Sequence, residues 1–139
     1  MEADDFGYLI KSINDKIKVR ADADLKSHDL TFAQCRVLGF LHENGGQATQ
    51  KEIEVNLEVS HPTVVGVVSR IEQNGYVESW FDPQDRRNKI VRLTDKADSI
   101  GDEMASIIAK QERELMKGLS GSEVKELKRM LTIIYKTIM

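Results

Sequence analysis

From Phe6 the apolar residues recur at Leu9, Ile10, Ile13 and Ile17, steps of three and four that place one stripe on a helix. The pattern restarts after Leu30. Thr31 with Gln34 three residues later has the spacing of a capping box, and Val37, Leu38 and Leu41 carry that helix to a stop at Asn44-Gly45-Gly46. Thr49 and Glu52 repeat the capping-box spacing at the head of a short helix whose buried face is Ile53 and Leu57. After a turn at Glu58-Val59-Ser60, Ser60 is the expected cap of the next helix, with Pro62 in the first turn, where a missing N–H costs nothing. Val64, Val67, Val68 and Ile71 form its inward set, and Asn74-Gly75 supplies a left-handed stop.

The period then changes. Residues 76–81 and 89–93 are rich in aromatic and β-branched side chains and flank a polar stretch, Asp82-Pro83-Gln84-Asp85-Arg86-Arg87-Asn88, which together predict a hairpin with a long tip. Thr94 opens a long helix carrying Ile100, Met104, Ile107, Ile108 and Leu115. Ser120 and Glu123 start a last one with Val124, Leu127, Met130, Leu131, Ile134 and Ile138 on one face. The expected architecture is mainly α, in the order α-α-α-α-β-β-α-α: a winged helix–turn–helix over residues 30–93, with outer helices over 1–29 and 94–139, in one domain spanning 1–139. The outer helices have apolar stripes with no evident cover in the same chain, and burying them against a second copy is the simplest remedy.

The helix–turn–helix suggests how the chain meets a partner. In such a pair the first turn of the second helix approaches base edges in the major groove. Here the outward or half-outward residues are His61, Thr63, Val65, Gly66, Ser69 and Arg70, after Ser60 and Pro62. His61, Thr63 and Arg70 can hydrogen-bond to bases or phosphates, Val65 can rest on a thymine methyl, and Gly66 permits close approach. Two short amphipathic helices also occur in many small helical domains, so this element alone decides little. The hairpin decides more. Arg86, Arg87, Lys89 and Arg92 fall within seven residues that contain no acid, although the whole chain has a net charge of −3. A cationic tip suits a narrow minor groove, while Asp82 and Asp85 can hold the loop by side-chain-to-backbone bonds, and Asp85 can orient an arginine. A charged, solvated edge strand is the competing explanation. A protein–protein adaptor is the rival function, but it gives no reason to keep that segment free of acids.

At this point the residues resemble a family. Leu30-Thr31-Phe32-Ala33-Gln34 with Val37-Leu38, then Val59-Ser60-His61-Pro62-Thr63-Val64, Asn74-Gly75-Tyr76-Val77 and above all Asp82-Pro83-x-Asp85-Arg86-Arg87-x-x-x-Val91-x-Leu93-Thr94 are similar to the MarR family of transcriptional regulators. The resemblance implies a homodimer with intertwined N- and C-terminal helices, set on a palindromic operator in double-stranded DNA. It implies a recognition helix from Ser60 to Arg70, and Arg87 as the minor-groove arginine with Asp85 bracing it. Arg86 and Lys89 share the wing, and Thr49, Gln50 and Lys51 approach phosphate through a helix N-terminus. It further implies a repressor released by a small aromatic or lipophilic effector bound near the first, second and fifth helices. The chain departs from the usual family pattern at Val65 and Gly66, where polar or basic side chains are common, and at Ser69, where an acid is frequent.

Composition removes other classes. Hydrophobic residues are 40% and charged residues 31%, enough for a core and too few consecutive apolar positions for a membrane span. The acidic start of the chain lacks the pattern of a signal peptide, so a cytoplasmic protein is expected. One cysteine, Cys35, excludes an internal disulfide. Its place in the second helix reads as packing, although Arg36 beside it leaves an oxidant-sensing thiol as the alternative. His28, His42 and His61 lack metal-ligand spacing, and Ser27-His28-Asp29 is accompanied by no nucleophile elbow. No catalytic residue, metal or cofactor is expected. Trp80 and Tyr76 are expected in the core.

Overall fold

The described residues form six α-helices and three short strands, of which the helices and two of the strands follow from these local signals. The computed structural model describes residues 4–139. The acidic start, on which the expectation of no leader rests, lies partly outside them. The elements are α1 (Phe6–Leu25), a 3-10 turn (Lys26–His28), α2 (Phe32–Glu43), β1 (Gln47–Thr49), α3 (Gln50–Leu57), α4 (His61–Gln73), β2 (Val77–Phe81), β3 (Lys89–Leu93), α5 (Asp95–Met116) and α6 (Gly121–Ile138). The capping box expected at Thr31/Gln34 is complete, and Ser120 with Glu123, expected to start the last helix, forms another. At Thr49 only half of one forms. Its hydroxyl accepts the Glu52 N–H, while the Glu52 carboxylate takes the Asn44 amide at 3.4 Å instead of reaching back.

Two other expected caps differ. Ser60 stands at the N-cap of α4 but makes no side-chain cap bond; its hydroxyl pairs with that of Thr63 at 2.9 Å. Thr94 likewise leaves α5 uncapped and donates to the Gly75 carbonyl at 2.6 Å, joining the start of α5 to the end of α4. Gly75 has the expected positive φ, and the Tyr76 N–H returns to the Ile71 carbonyl at 2.9 Å, closing α4.

The sheet has one strand more than the hairpin expected. Strand order is β1-β3-β2, all antiparallel, with Ala48 opposite Val91 and Ser79 on its other side. The added strand ties the segment before α3 to the wing, so the wing and the helix–turn–helix share one support. The core gathers Leu25, Leu38, Leu41, Ile53, Val64, Val68, Ile71 and Val91, each almost wholly shielded from solvent. Val67 is half-buried rather than fully inward. Leu25 and Ala21 bring the end of α1 into this core, and Ala97 and Met104 bring in α5. Helices α1 and α5 are therefore part of one hydrophobic unit with the lobe, whereas α6 contributes nothing to it among the described residues. Phe6, Ile10 and Ile13 on α1 and Leu131, Ile134 and Ile138 on α6 are exposed, and α6 buries no residue. Tyr76 is core, as expected, and its hydroxyl donates to the His28 carbonyl at 2.9 Å. Trp80 is not core: it lies half-buried on the sheet beneath Arg92.

Candidate nucleic-acid interface

The start of α3, the start of α4 and the hairpin tip surround one open groove of about 490 Å³. Gln50, Lys51, His61, Asp85, Arg87 and Lys89, six residues expected at the site from the sequence, line it together with Glu54 and Asn88. Lys51 is exposed, whereas Gln50 is buried, with only 8% of its surface accessible. The Gln50 side chain is thus part of the groove floor and not a free arm toward phosphate, and Thr49 is occupied in capping α3.

Helical periodicity sorts the remaining residues of α4. Val64, Val68 and Ile71 are buried, so Pro62, Gly66 and Ser69 fall on the opposite, exposed face, with Gln73 continuing the same stripe. A Cβ at Gly66 would meet nothing within 4 Å, which leaves that face low and open. Val65 is 40% exposed on one flank, and Thr63 and Arg70 lie on the other. Arg70 lines a different cleft, beside Asp22, Asp29 and Asn74. His61 is turned back, its Nδ1 at 2.8 Å from the Glu54 carboxylate, so it locks α4 against α3 across the turn. Glu54 carries no sequence signal for this role, because a seven-residue spacing across a turn is not a motif.

The hairpin tip is built by its acids. Asp82 accepts from the Gln84 N–H at 2.9 Å, and Asp85 accepts from the Arg87 N–H at 3.2 Å, from Arg87 Nε at 3.1 Å and from the Asn88 amide at 3.3 Å. The Arg87 hydrogen bonds hold the Asp85 carboxyl below its ordinary pKa. Asp85 so fixes the root of Arg87, whose side chain is 91% exposed, and Arg87 Nη1 has no partner among the described residues. Asn88, which carries no sequence signal of its own, closes the loop: its N–H donates to the Asp85 carbonyl and its own carbonyl accepts from the Asp82 N–H, both at 2.9 Å.

The other cations of the cluster are in different states. Arg92 pairs with Glu78 directly across the strands and stacks on Trp80 at 5.0 Å. Lys89 Nζ lies 5.8 Å from the Phe81 ring. Arg86 is exposed, with no ion-pair partner among the described residues. Exposed positive charge without an ion-pair partner among the described residues is thus found on Arg86 at the tip and on Lys51 beside it, and Arg87, though paired with Asp85, is 91% exposed.

Cys35 is 2% exposed, its Sγ 3.5 Å from Met104 Sδ, and burial pushes its pKa up to about 11. Arg36 does not activate it and donates instead to the Leu57 carbonyl at 3.4 Å. A cavity of about 300 Å³ opens above Cys35 between α2 and α5, in the neighbourhood expected for an effector, although α1 supplies none of its lining.

Comparison with known proteins agrees with this geometry. A sequence profile of the MarR family matches residues 28–88. The chain is 25% identical over 134 residues to the HTH-type transcriptional regulator BilQ of Clostridioides difficile (strain CD3), covering 96% of this chain and 90% of that one. It superimposes on S. aureus MepR in a MepR–DNA complex with a TM-score of 0.86 at 29% identity, covering 96% of this chain and 98% of the other. For a cysteine-to-serine mutant of E. coli MarR complexed with operator DNA the TM-score is 0.82 at 27% identity, with 92% and 91% covered. The profile match spans the helix–turn–helix and the wing tip, and the structural matches extend it through both outer helices. In sequence over residues 28–88, and in fold over nearly its whole length, this chain is similar to the MarR family of winged helix–turn–helix transcriptional regulators.

Proposed function

We propose that this protein is a homodimeric, sequence-specific DNA-binding transcriptional regulator of the cytoplasm, a repressor that a small-molecule effector releases. The observation that carries the reading is that one groove brings the first residue of α4, His61, together with Lys51 of α3 and an exposed arginine of the wing, Arg87, braced by Asp85. The S. aureus and E. coli relatives are held on DNA, and that partner is carried to this chain because the elements that would meet it are present in the same fold. In this reading α4 enters the major groove with Pro62, Thr63, Val65, Gly66 and Ser69 toward base edges. The tip places Arg87 in the adjoining minor groove, and Lys51 takes phosphate. Its work is binding and not turnover. Two copies pair through the uncovered stripes of α1 and α6, which sets two recognition helices against half-sites about one helical turn apart.

The wing is tested by Arg87→Ala. Fluorescence anisotropy on a duplex selected from random sequence should show weaker binding across all sequences. The log–log salt slope should become shallower by about 0.9 for each phosphate that is no longer neutralised. Unchanged affinity and slope would remove the wing from the mechanism.

A further inference from the structure

We propose that Tyr135 is a positioning residue for operator binding: its hydroxyl, carried on α6, holds the Glu58 carboxylate and so fixes the angle at which the α3–α4 turn presents the recognition helix. This rests on the DNA-binding reading above and adds the residue through which the pairing of two copies reaches each reading head. The Tyr135 hydroxyl donates to Glu58 Oε1 at 3.2 Å, joining positions 77 apart in the chain. It is the one side-chain hydrogen bond among the described residues that ties α6 to another element; the rest stay within α6 and its N-cap. Since α6 buries no residue, that bond does more to set its register than it would on a packed helix.

The acceptor sits where glycine would be the easy residue. Glu58 is the C-cap of α3 with φ +53°, the left-handed conformation that a residue with a Cβ adopts only at a cost. Its carboxylate has no lysine or arginine partner among the described residues, and the group that it meets is Tyr135. The neighbouring residues lock the turn from inside the lobe. Arg36 of α2 donates to the Leu57 carbonyl at 3.4 Å, the Glu58 N–H returns to the Glu54 carbonyl, and Glu54 holds His61 at the start of α4. Helices α1 and α5 join the lobe through its core, whereas α6 reaches the turn itself. The Tyr135 ring lies with Leu127, Leu131 and Met116 along an apolar groove between α5 and α6. Leu131 belongs to the stripe that a second copy covers in the reading above, so a shift of that stripe passes through the phenol to Glu58 and on to α4. The carboxylate also pushes the Tyr135 phenol pKa up, which keeps the proton on the donor.

Tyr135→Phe removes one oxygen and keeps the ring. Fluorescence anisotropy on a duplex selected from random sequence should show affinity lowered about fivefold, the scale of one hydrogen bond to a charged group. Sedimentation mass and Tm should be retained. A second set of duplexes, with the half-sites moved one base pair apart or together, reads the angle itself. The wild type should lose binding steeply on them, and Tyr135→Phe should lose several-fold less, because its reading heads are freer to turn. Glu58→Gln keeps an acceptor and should restore wild-type behaviour. Glu58→Ala leaves the backbone strain in place, should match Tyr135→Phe, and should add nothing to it in the double variant. Wild-type affinity and spacing penalty in Tyr135→Phe, or additive effects of Tyr135→Phe and Glu58→Ala, would overturn the proposal alone. So would an affinity loss that tracks a lost dimer, which marks Tyr135 as packing. A wild-type chain that holds no duplex would overturn the DNA-binding reading and the proposal with it.

Discussion

The side chains whose roles are legible in the sequence are those that act over three or four residues. Thr31 with Gln34 and Ser120 with Glu123 form their reciprocal caps because both partners lie within one helical turn, and no other element can intervene. Asp85 orients Arg87 for the same reason. Ser60 departs in detail because its hydroxyl pairs with that of Thr63, a second local partner at the same spacing, and His61 because the carboxylate of Glu54 is a partner that only the folded turn brings close. Cys35 shows how burial outweighs a charged neighbour in sequence. Its pKa, raised to about 11, means the folded state favours the thiol. That contribution is fully present below the ordinary thiol value near 9, and it is lost as pH rises from there through about 11. Alkylation of the native protein with iodoacetamide should therefore be negligible at neutral pH, and rapid labelling under those conditions would contradict the buried packing role.

Among the elements, the helices with long stripes are legible from periodicity, whereas the sheet has a strand that periodicity does not reveal. β1 is three residues long and squeezed between Gly45-Gly46 and the cap of α3, too brief to show an alternating pattern. Its strand character comes from pairing with β3, a long-range contact with no local signature. The hairpin divides its cations by task, a division invisible in sequence alone. Arg92 is consumed by Glu78 and Trp80 and holds the strands together, whereas Arg87 is presented outward. Arg92→Ala should accordingly cost about 1 kcal/mol, the scale of an exposed ion pair plus a surface cation–π contact. Thermal unfolding would register this as a lowered Tm, with the salt slope of DNA binding retained. A variant with unchanged stability and a shallower slope would place Arg92 on the DNA.

At the scale of the molecule, the uncovered stripes of α1 and α6 are visible in the sequence because an amphipathic helix with no partner is a pattern in its own right. They remain exposed in the single chain, with Ile138 78% and Phe6 86% accessible. The α2–α5 cleft is only broadly placed by sequence, because its lining is brought together by the packing of two helices far apart along the chain. A lone subunit with apolar faces of this kind is not expected to persist in water, and one recognition helix reads only half of a palindrome. Two subunits acting together on one duplex are therefore what operator binding requires. Sedimentation velocity at working concentration, with and without a duplex chosen by selection from random sequence, measures this directly. It should give a particle of two 15.8 kDa chains that binds one duplex as a unit. Single chains that leave every duplex unshifted at low salt would contradict it.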